Sequence, residues 1–206
     1  MNSATVFVVD NDVSVRESLQ LLIHSAGWAA QTFASAQNFL AHDRPLVPSC
    51  LILDVGLADL NGLDLQKRMA AEGTGMPIVF ITGHGDVPTT VRAMKAGAVD
   101  FLTKPLGDDA LLSAITEALE RSRAAHAEEV EIEVLRNCYA SLTRREREVM
   151  RLVVRGSLNK QVGSELGISE ITVKAHRGRV MRKMKAQSLP DLVNMAARLR
   201  IPPRKG

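Results

Sequence analysis

The stretch Thr5-Val6-Phe7-Val8-Val9-Asp10-Asn11-Asp12 joins a continuous apolar run to a cluster of polar side chains. Continuous apolar runs are typical of strands covered on both faces, as in a parallel sheet. Similar runs recur at 50–53, 78–81 and 101–102, with a weaker one at 29–33. Five β–α repeats of this kind predict a doubly wound α/β domain, (βα)5. The apolar residues at helical spacing between the runs are Val15, Leu19, Leu22, Ile23, Leu63, Leu65, Met69, Val91, Met94, Leu111, Ile115 and Leu119.

Polar side chains follow these runs, at the sheet edge where doubly wound proteins bind ligands. Asp10 follows the first run, Asp54 the third, Thr82 the fourth and Lys104 the fifth. Carboxylates are ligands for Mg²⁺, and a lysine with a hydroxyl can donate hydrogen bonds to a phosphoryl group. Each residue alone would more often be a turn or capping residue. The four together predict a magnesium-assisted phosphoryl site.

Composition and charge exclude several classes of protein. The 206 residues are 46% hydrophobic and 24% charged, as in globular proteins. No apolar run reaches the roughly 18–20 residues of a membrane span, and residues 1–5 lack the start of a signal peptide. We therefore expect a cytoplasmic protein with no membrane partner. The two cysteines, Cys50 and Cys138, are too few for a disulfide framework or a cysteine metal cluster.

The charge is unevenly distributed along the chain. Residues 1–121 contain 8 Lys and Arg against 14 Asp and Glu, a net charge of −6. Residues 122–138 contain 2 against 4, whereas 139–206 contain 16 against 5, a net charge of +11. An acidic first part and a basic last part indicate a nucleic-acid-binding domain joined to a domain of another kind.

Helix caps and breakers are dense in the basic part. Thr143 and Glu146 are spaced as a capping box, and Ser169 is a predicted helix cap. Four helices are predicted, over 148–154, 159–166, 170–185 and 188–199, the last ahead of Pro202-Pro203. Two short helices joined around a glycine indicate a helix-turn-helix, whose second helix enters the major groove of DNA. We therefore predict an all-α four-helix domain here.

The third of these helices separates two kinds of side chain. At 100° per residue, Val173, His176, Val180 and Met184 fall within about 80° of one another and predict a buried stripe in which His176 packs. A basic helix face is usually only a solvated surface, but the charge of this part favours contact with DNA. The neighbouring, mostly basic arc comprises Lys174, Arg177, Gly178, Met181, Arg182 and Lys185.

Residues 122–140 are a predicted helical linker, because alanines and glutamates favour helix and neither proline nor glycine occurs. Ile132 with Leu135, or Val130 with Val134, would give it a narrow apolar stripe. Two interpretations stay open. The linker is either a solvated spacer or a helix that transmits a signal or dimerises.

The motifs of the first domain resemble those of two-component receiver domains, and especially the FixJ branch. They stand at 8–11, 53–54, 81–88 and 93–105. The resemblance implies that Asp54 accepts a phosphoryl group from a sensor histidine kinase, with Thr82 and Lys104 contacting that group. It also implies that Thr82 and Phe101 form the switch and that the Lys104–Pro105 bond is cis. The Mg²⁺ ligands it implies are Asp10, Asn11, Asp54 and the backbone carbonyl of Gly56.

Two positions depart from the receiver pattern. Asn11 stands where a second acidic residue is usual, and Ala58 where a proline usually follows the acceptor. The lost negative charge predicts weaker Mg²⁺ binding, for which Asp12 compensates only if its side chain faces the metal. One alternative is therefore a phosphorylation-independent transcription factor with a degenerate receiver. Another is a haloacid-dehalogenase-like phosphatase with Asp10 as nucleophile, which leaves Asp54 unexplained.

The last domain resembles the LuxR/FixJ output domain, through motifs at 142–149, 159–160, 166–169 and 172–177. Together the resemblances imply a response regulator of the NarL/FixJ type, a transcription factor and not an enzyme. Its domains are 1–121, 122–140 and 141–206. The implied DNA-contacting residues are Lys174 and Arg177 at base edges, with Asn159, Lys160, Thr172 and Arg182 at phosphates. The implied partners are a sensor histidine kinase, double-stranded promoter DNA, RNA polymerase and a second copy, bound on phosphorylation through 90–96 and 99–102.

Overall fold

The computed structural model describes residues 4–43 and 47–201. The chain divides into two compact units, the first ending at Ala127 and the second beginning at Glu128. The predictions made on residues 1–3 and on Pro202-Pro203 lie outside the described residues. None of the helices in the described ranges is long and apolar enough to span a membrane.

The first unit contains a five-stranded parallel sheet with the strand order β2-β1-β3-β4-β5. The strands are β1 Thr5–Val9, β2 Ala29–Phe33, β3 Ser49–Asp54, β4 Ile78–Thr82 and β5 Asp100–Thr103. Each strand lies where the apolar runs predicted one. The three that follow β2 extend beyond the predicted limits, because polar residues at their ends still pair with neighbouring strands.

Five helices accompany the sheet: α1 Val13–Ser25, α2 Ala36–Leu40, α3 Gly62–Ala71, α4 Val87–Lys95 and α5 Asp108–Ala140. Successive residues of a strand point to opposite faces. Val6 and Val8 pack with α1 and α5, whereas Phe7 and Val9 pack with α2 and α3 on the other face. The predicted doubly wound α/β class is confirmed.

The buried face of α4 is not the one that the sequence predicted. Val91 and Met94 were expected to pack, but they are 42% and 43% exposed, and Val87 is exposed beside them. The buried residues of α4 are Thr89 and Ala93. The physical reason is size, because small side chains let the helix approach the sheet and leave the larger apolar residues on its outer side.

The second unit is all-α, as predicted. Its helices after α5 are α6 Arg144–Val153, α7 Asn159–Leu166, α8 Glu170–Met184 and α9 Leu189–Arg198. The predicted start of the first of these, at residue 148, was wrong. Thr143 is the N-cap of α6 and forms the capping box with Glu146, so the helix begins at the residue that follows the cap. The core includes Leu142, Val149, Val153, Val162, Val173, Val180, Met184 and Leu192.

Residues 122–140 lie within α5. The two stripes proposed for this segment differ in burial. Leu135 is buried, whereas Val130 and Val134 are about half exposed. The choice between spacer and transmitting helix stays open.

Candidate functional site

Three side chains meet at the carboxyl edge of the sheet, at the ends of β1 and β3 and just after β5, and Thr82 ends the neighbouring strand β4. The Nζ atom of Lys104 lies 2.6 Å from Asp10 Oδ2 and 3.4 Å from Asp54 Oδ2. Asp10 is completely buried, whereas the Asp54 side chain is 10% exposed. Thr82 is joined to this edge through its carbonyl, which accepts the Lys104 N–H at 2.7 Å. Asp10, Asp54 and Lys104 therefore meet as predicted, whereas Thr82 is bonded to Lys104 through backbone atoms.

Backbone groups hold the second oxygen of each carboxylate. Asp10 Oδ1 accepts the Asp12 N–H at 2.8 Å, and Asp54 Oδ1 accepts the Gly56 N–H at 3.2 Å. The Arg16 guanidinium donates to the Asp10 carbonyl at 2.7 Å, a contact that sequence analysis missed. Nothing in the local pattern marks that arginine. Only the packing of α1 against β1 brings it there.

Lys104 is a charged group held between two acids. Burial lowers the pKa of Lys104, but the hydrogen bond and charge of Asp10, with those of Asp54, outweigh burial and raise the pKa above its ordinary value. The ammonium is therefore protonated at neutral pH. Two carboxylates around one ammonium leave a net negative charge at the edge, which attracts a further cation. The Lys104–Pro105 bond is cis, which confirms that prediction.

The loop of residues 83–86, between β4 and α4, contacts the predicted switch residues. Buried Thr82 donates its hydroxyl to the His84 carbonyl and accepts the His84 N–H, both at 3.2 Å. A Cβ at Gly85 would lie 2.8 Å from Thr103 Cγ2 and 3.5 Å from a ring carbon of Phe101. Thr82 therefore bonds this short loop, and half-buried Phe101 lies beside it.

The donors available for Mg²⁺ are fewer than in the receiver pattern. Asn11 is exposed, and Asp12 is the N-cap of α1, where its Oδ1 accepts first-turn N–H groups at 2.8 and 3.5 Å. Within residues 4–43 and 47–201, no group of three or more His, Cys, Asp and Glu is placed to hold a metal. Asp10 and Asp54 still offer two carboxylates, with Lys104 as the cation beside them. Two protein carboxylates suit a hard metal ion that keeps several of its water ligands.

A short turn joins α7 to α8 in the second unit. Gly167 has the left-handed φ of 66°, and the Ile168 N–H donates to the Gly163 carbonyl at 3.0 Å. A Cβ at Gly163 would lie 2.7 Å from the Ile168 carbonyl oxygen, so the close approach of the two segments requires glycine. The arrangement is the predicted helix-turn-helix.

The predicted DNA-contacting residues lie on α7 and α8. Lys160, Thr172, Lys174 and Arg182 are exposed, whereas Asn159 and Arg177 are half-buried. The Arg177 guanidinium donates to Asn159 Oδ1 at 3.2 Å and so links the two helices. The Thr172 hydroxyl lies 2.8 Å from the hydroxyl of Ser169, the N-cap of α8. The structure therefore brings these six residues to one pair of helices but engages Arg177 inside the unit.

A second buried cluster joins a carboxylate to a lysine. Glu146 Oε2 lies 2.7 Å from Lys183 Nζ and accepts the Thr143 N–H at 2.8 Å. These hydrogen bonds, with Lys183 first, lower the pKa of Glu146 to about 2. The capping box predicted the bond to Thr143, but only the folded structure brings Lys183 to Glu146. On the same helix Glu148 pairs with Arg145 at 2.8 Å.

Comparison with known proteins agrees with this organisation. Residues 6–116 match the family described as response regulator receiver domain, and residues 140–196 match the luxR family of bacterial regulatory proteins. Nodulation protein W of Bradyrhizobium diazoefficiens is 50% identical over 96% of this chain and 87% of its own length. Transcriptional regulatory protein FixJ of Azorhizobium caulinodans is 44% identical over 94% of this chain and 92% of its own length.

Two solved structures cover nearly the whole chain. The response regulator StyR is 47% identical, with a TM-score of 0.82 over 95% of this chain and 98% of StyR. Full-length FixJ from B. japonicum is 39% identical, with a TM-score of 0.57 over 98% of this chain and all of FixJ.

The fold and the two matched families define a response regulator with a DNA-binding output domain. The chain belongs to the NarL/FixJ family of response regulators. It is a phosphorylation-regulated transcription factor and not an enzyme with a small-molecule substrate. The phosphatase alternative leaves Asp54 unexplained, whereas the two matched families account for both domains of the chain.

Proposed function

We propose that Asp54 is the phospho-acceptor of this response regulator. The observation that carries the proposal is the difference between the two carboxylates, because only Asp54 is open to solvent at the sheet edge. In the proposed step a carboxylate oxygen of Asp54 attacks the phosphorus of a phosphohistidine on a sensor kinase. A P–O bond forms, the P–N bond breaks, and the imidazole nitrogen leaves with the electron pair. Water later hydrolyses the acyl phosphate.

The neighbouring residues have separate roles in this proposal. Lys104 already contacts Asp54 and donates to a phosphoryl oxygen once the group has been transferred. Asp10, Asn11, Asp54 and the Gly56 carbonyl would hold Mg²⁺, which would neutralise negative charge on the phosphoryl group. The Thr82 hydroxyl exchanges its bond to the His84 carbonyl for one to the phosphoryl group.

The switch acts through the loop of residues 83–86. When Thr82 releases the His84 carbonyl, the loop shifts beside Phe101, whose ring would lie 3.5 Å from a Cβ at Gly85. Phosphorylation favours one of two pre-existing states in this way. We propose that the favoured state dimerises through α4 and β5, where Val87, Val91 and Met94 form an exposed apolar stripe.

In the second unit, α8 enters the major groove of promoter DNA. We propose that Lys174 and Arg177 contact base edges and that Asn159, Lys160, Thr172 and Arg182 contact phosphates. A dimer then binds two half-sites of a pseudo-palindrome. Regulation of transcription places the protein in the cytoplasm, with RNA polymerase as a further partner.

The phosphorylation proposal is tested by intact mass. The full chain is incubated with Mg²⁺ and a small phosphodonor, and we expect one phosphoryl adduct that Asp54→Asn lacks. Asp64→Asn is the matched control, because Asp64 is an exposed acid on α3. An adduct that persists in Asp54→Asn contradicts the assignment. A wild-type chain that binds its DNA equally well without any adduct would favour the degenerate-receiver alternative.

The DNA proposal is tested by affinity at several salt concentrations. Arg177→Ala should cost about 1–3 kcal/mol and relax the preference at one base pair. Lys160→Ala should weaken binding to all sequences alike and reduce the salt slope by about one. If Arg177→Ala weakens selected and scrambled DNA equally, Arg177 does not read sequence.

A further inference from the structure

Ile171 is an exposed apolar residue in the first turn of α8. Its exposed fraction is 81%, the highest among the large apolar residues of the described ranges. A single exposed apolar side chain on a protein surface needs no function of its own. The neighbours of Ile171 on α8 indicate whether its side chain belongs to a binding surface.

The residues around Ile171 form one face of the helix. At 100° per residue, Ile171, Lys174, Ala175 and Gly178 fall within an arc of about 100°. All four are exposed. The buried stripe of Val173, Val180 and Met184 is centred about 150° away. This arc, the outer face of α8, therefore points away from the core of its unit.

The outer face is poor in hydrogen-bonding groups and open to close approach. A Cβ at Gly178 would meet no atom within 4 Å, so packing within the unit does not require glycine there. Between residues 171 and 178, Lys174 is the one residue of the face that carries a hydrogen-bonding side chain, and exposed Arg182 lies within the same arc one turn further along α8. Arg177 lies about 60° outside the arc and is bonded to Asn159. A ligand of this face must therefore offer an apolar group as well as negative charge.

Major-groove DNA offers both. The C5-methyl group of thymine is the apolar feature of the groove, and the phosphates on either side are anionic. Exposed Arg182, on the same side of α8, and Lys174 supply the complementary charge. We infer that Ile171, with Ala175 beside it, contacts the C5-methyl group of a thymine and so specifies a T·A pair. The inference rests on the proposed entry of α8 into the major groove.

Deoxyuridine tests this contact, because it differs from thymidine only by the missing methyl group. A binding site is first selected from random DNA with the phosphorylated full chain, and each thymine is then replaced singly. We expect one thymine per half-site whose replacement weakens binding about four-fold, the loss of one buried methyl group of ~0.8 kcal/mol. Ile171→Ala should weaken binding to the site that contains this thymine by a similar factor. It should not weaken binding to the site in which deoxyuridine replaces that thymine.

Comparing both proteins on both sites distinguishes a direct contact of Ile171 with the methyl group from an effect of Ile171 on the stability of α8. If Ile171→Ala and the thymine replacement weaken binding independently at every position, Ile171 acts only through the stability of α8 and the inference is overturned. It is equally overturned if no thymine responds. Leu21→Ala is the matched control, because Leu21 is 72% exposed on α1, and it should leave both affinities unchanged. A chain that selects no sequence at all contradicts the proposed DNA-binding mode, and this inference fails with it.

Discussion

The two units each contain a buried carboxylate beside a lysine, and we propose different roles for the two clusters. In the first unit Lys104 lies 2.6 Å from Asp10 and 3.4 Å from Asp54. In the second unit Lys183 lies 2.7 Å from Glu146. The distances from nitrogen to oxygen alone do not distinguish them. The difference lies in the balance of charge and in the access of solvent.

In the first unit two carboxylates, Asp10 and Asp54, surround the single ammonium of Lys104. The Asp54 side chain is 10% exposed to solvent. Glu146, in contrast, is matched by one ammonium and also accepts the Thr143 N–H of its own capping box. A balanced pair whose carboxylate is closed to solvent stabilises a fold, whereas an excess of carboxylate charge at an opening attracts a charged ligand. Buried charge is thus an indicator of function only when it is incompletely compensated.

Removal of Lys104 should give the largest effect. Lys104→Ala removes the ammonium nearest to Asp54, so we expect phosphorylation by a small phosphodonor to slow roughly 100-fold, as for loss of one preorganised donor. The initial rate of adduct formation, followed by intact mass, measures this. Lys183→Ala is the counterpart in the other cluster and should leave the rate unchanged. Equal slowing in both variants would contradict the distinction between the clusters.

Removal of Glu146 should act on stability instead. Glu146→Ala breaks the ion pair and the capping box, and we expect it to lower the free energy of unfolding of the second unit by about 2–3 kcal/mol. The value lies at the lower end for buried pairs because the Lys183 side chain is 35% exposed and can turn to water. Hydrogen exchange of α6 and α8 in the full chain measures the loss. Asp54→Asn should not destabilise the first unit, since it removes the excess negative charge; a similar loss there would refute the comparison.

Low pH should destabilise the second unit through protonation of Glu146. The pKa of Glu146 is lowered from an ordinary 4.5 to about 2, so its stabilisation is complete above pH 4.5 and disappears as the pH falls toward 2. By pH 3 we expect a loss of about 2 kcal/mol relative to pH 7. Unfolding of the wild type and of Glu146→Gln is compared across this range by hydrogen exchange of α6. The variant should lack the wild-type dependence, and parallel curves would assign the acid sensitivity to other groups.

Sequence patterns predicted the features that are determined by a few consecutive residues, namely strands and helix caps. The apolar runs located all five strands, and the spacing of Thr143 and Glu146 located a cap, because strand burial and capping are properties of a few consecutive residues. The positions of Asp10, Asp54, Thr82 and Lys104 followed from the topology, since parallel strands end at one edge. Recognition of the family supplied the roles that position alone does not give.

Features that depend on packing were missed or assigned to the wrong side. Val91 and Met94 carry a helical pattern, but the pattern cannot tell which side of α4 faces the sheet. Arg177 was placed at the bases from its position on the helix, whereas in the structure it also bonds Asn159, on the preceding helix. The pairing of Lys183 with Glu146 was missed for the same reason, as the partners are 37 positions apart.

The smallest effect should come from restoring the missing acid. Asp12 caps α1 with its side chain, so it does not replace the carboxylate that Asn11 lacks. Asn11→Asp adds one negative charge near Asp10 and Asp54, worth about 1 kcal/mol at solvent-like screening. We expect the Mg²⁺ concentration for half-maximal phosphorylation to fall about five-fold. Asn38→Asp, at an exposed position on α2, should leave it unchanged. If Asn11→Asp does not lower the requirement, Mg²⁺ is held without position 11, and the excess charge that distinguishes the first cluster comes from Asp10 and Asp54 alone.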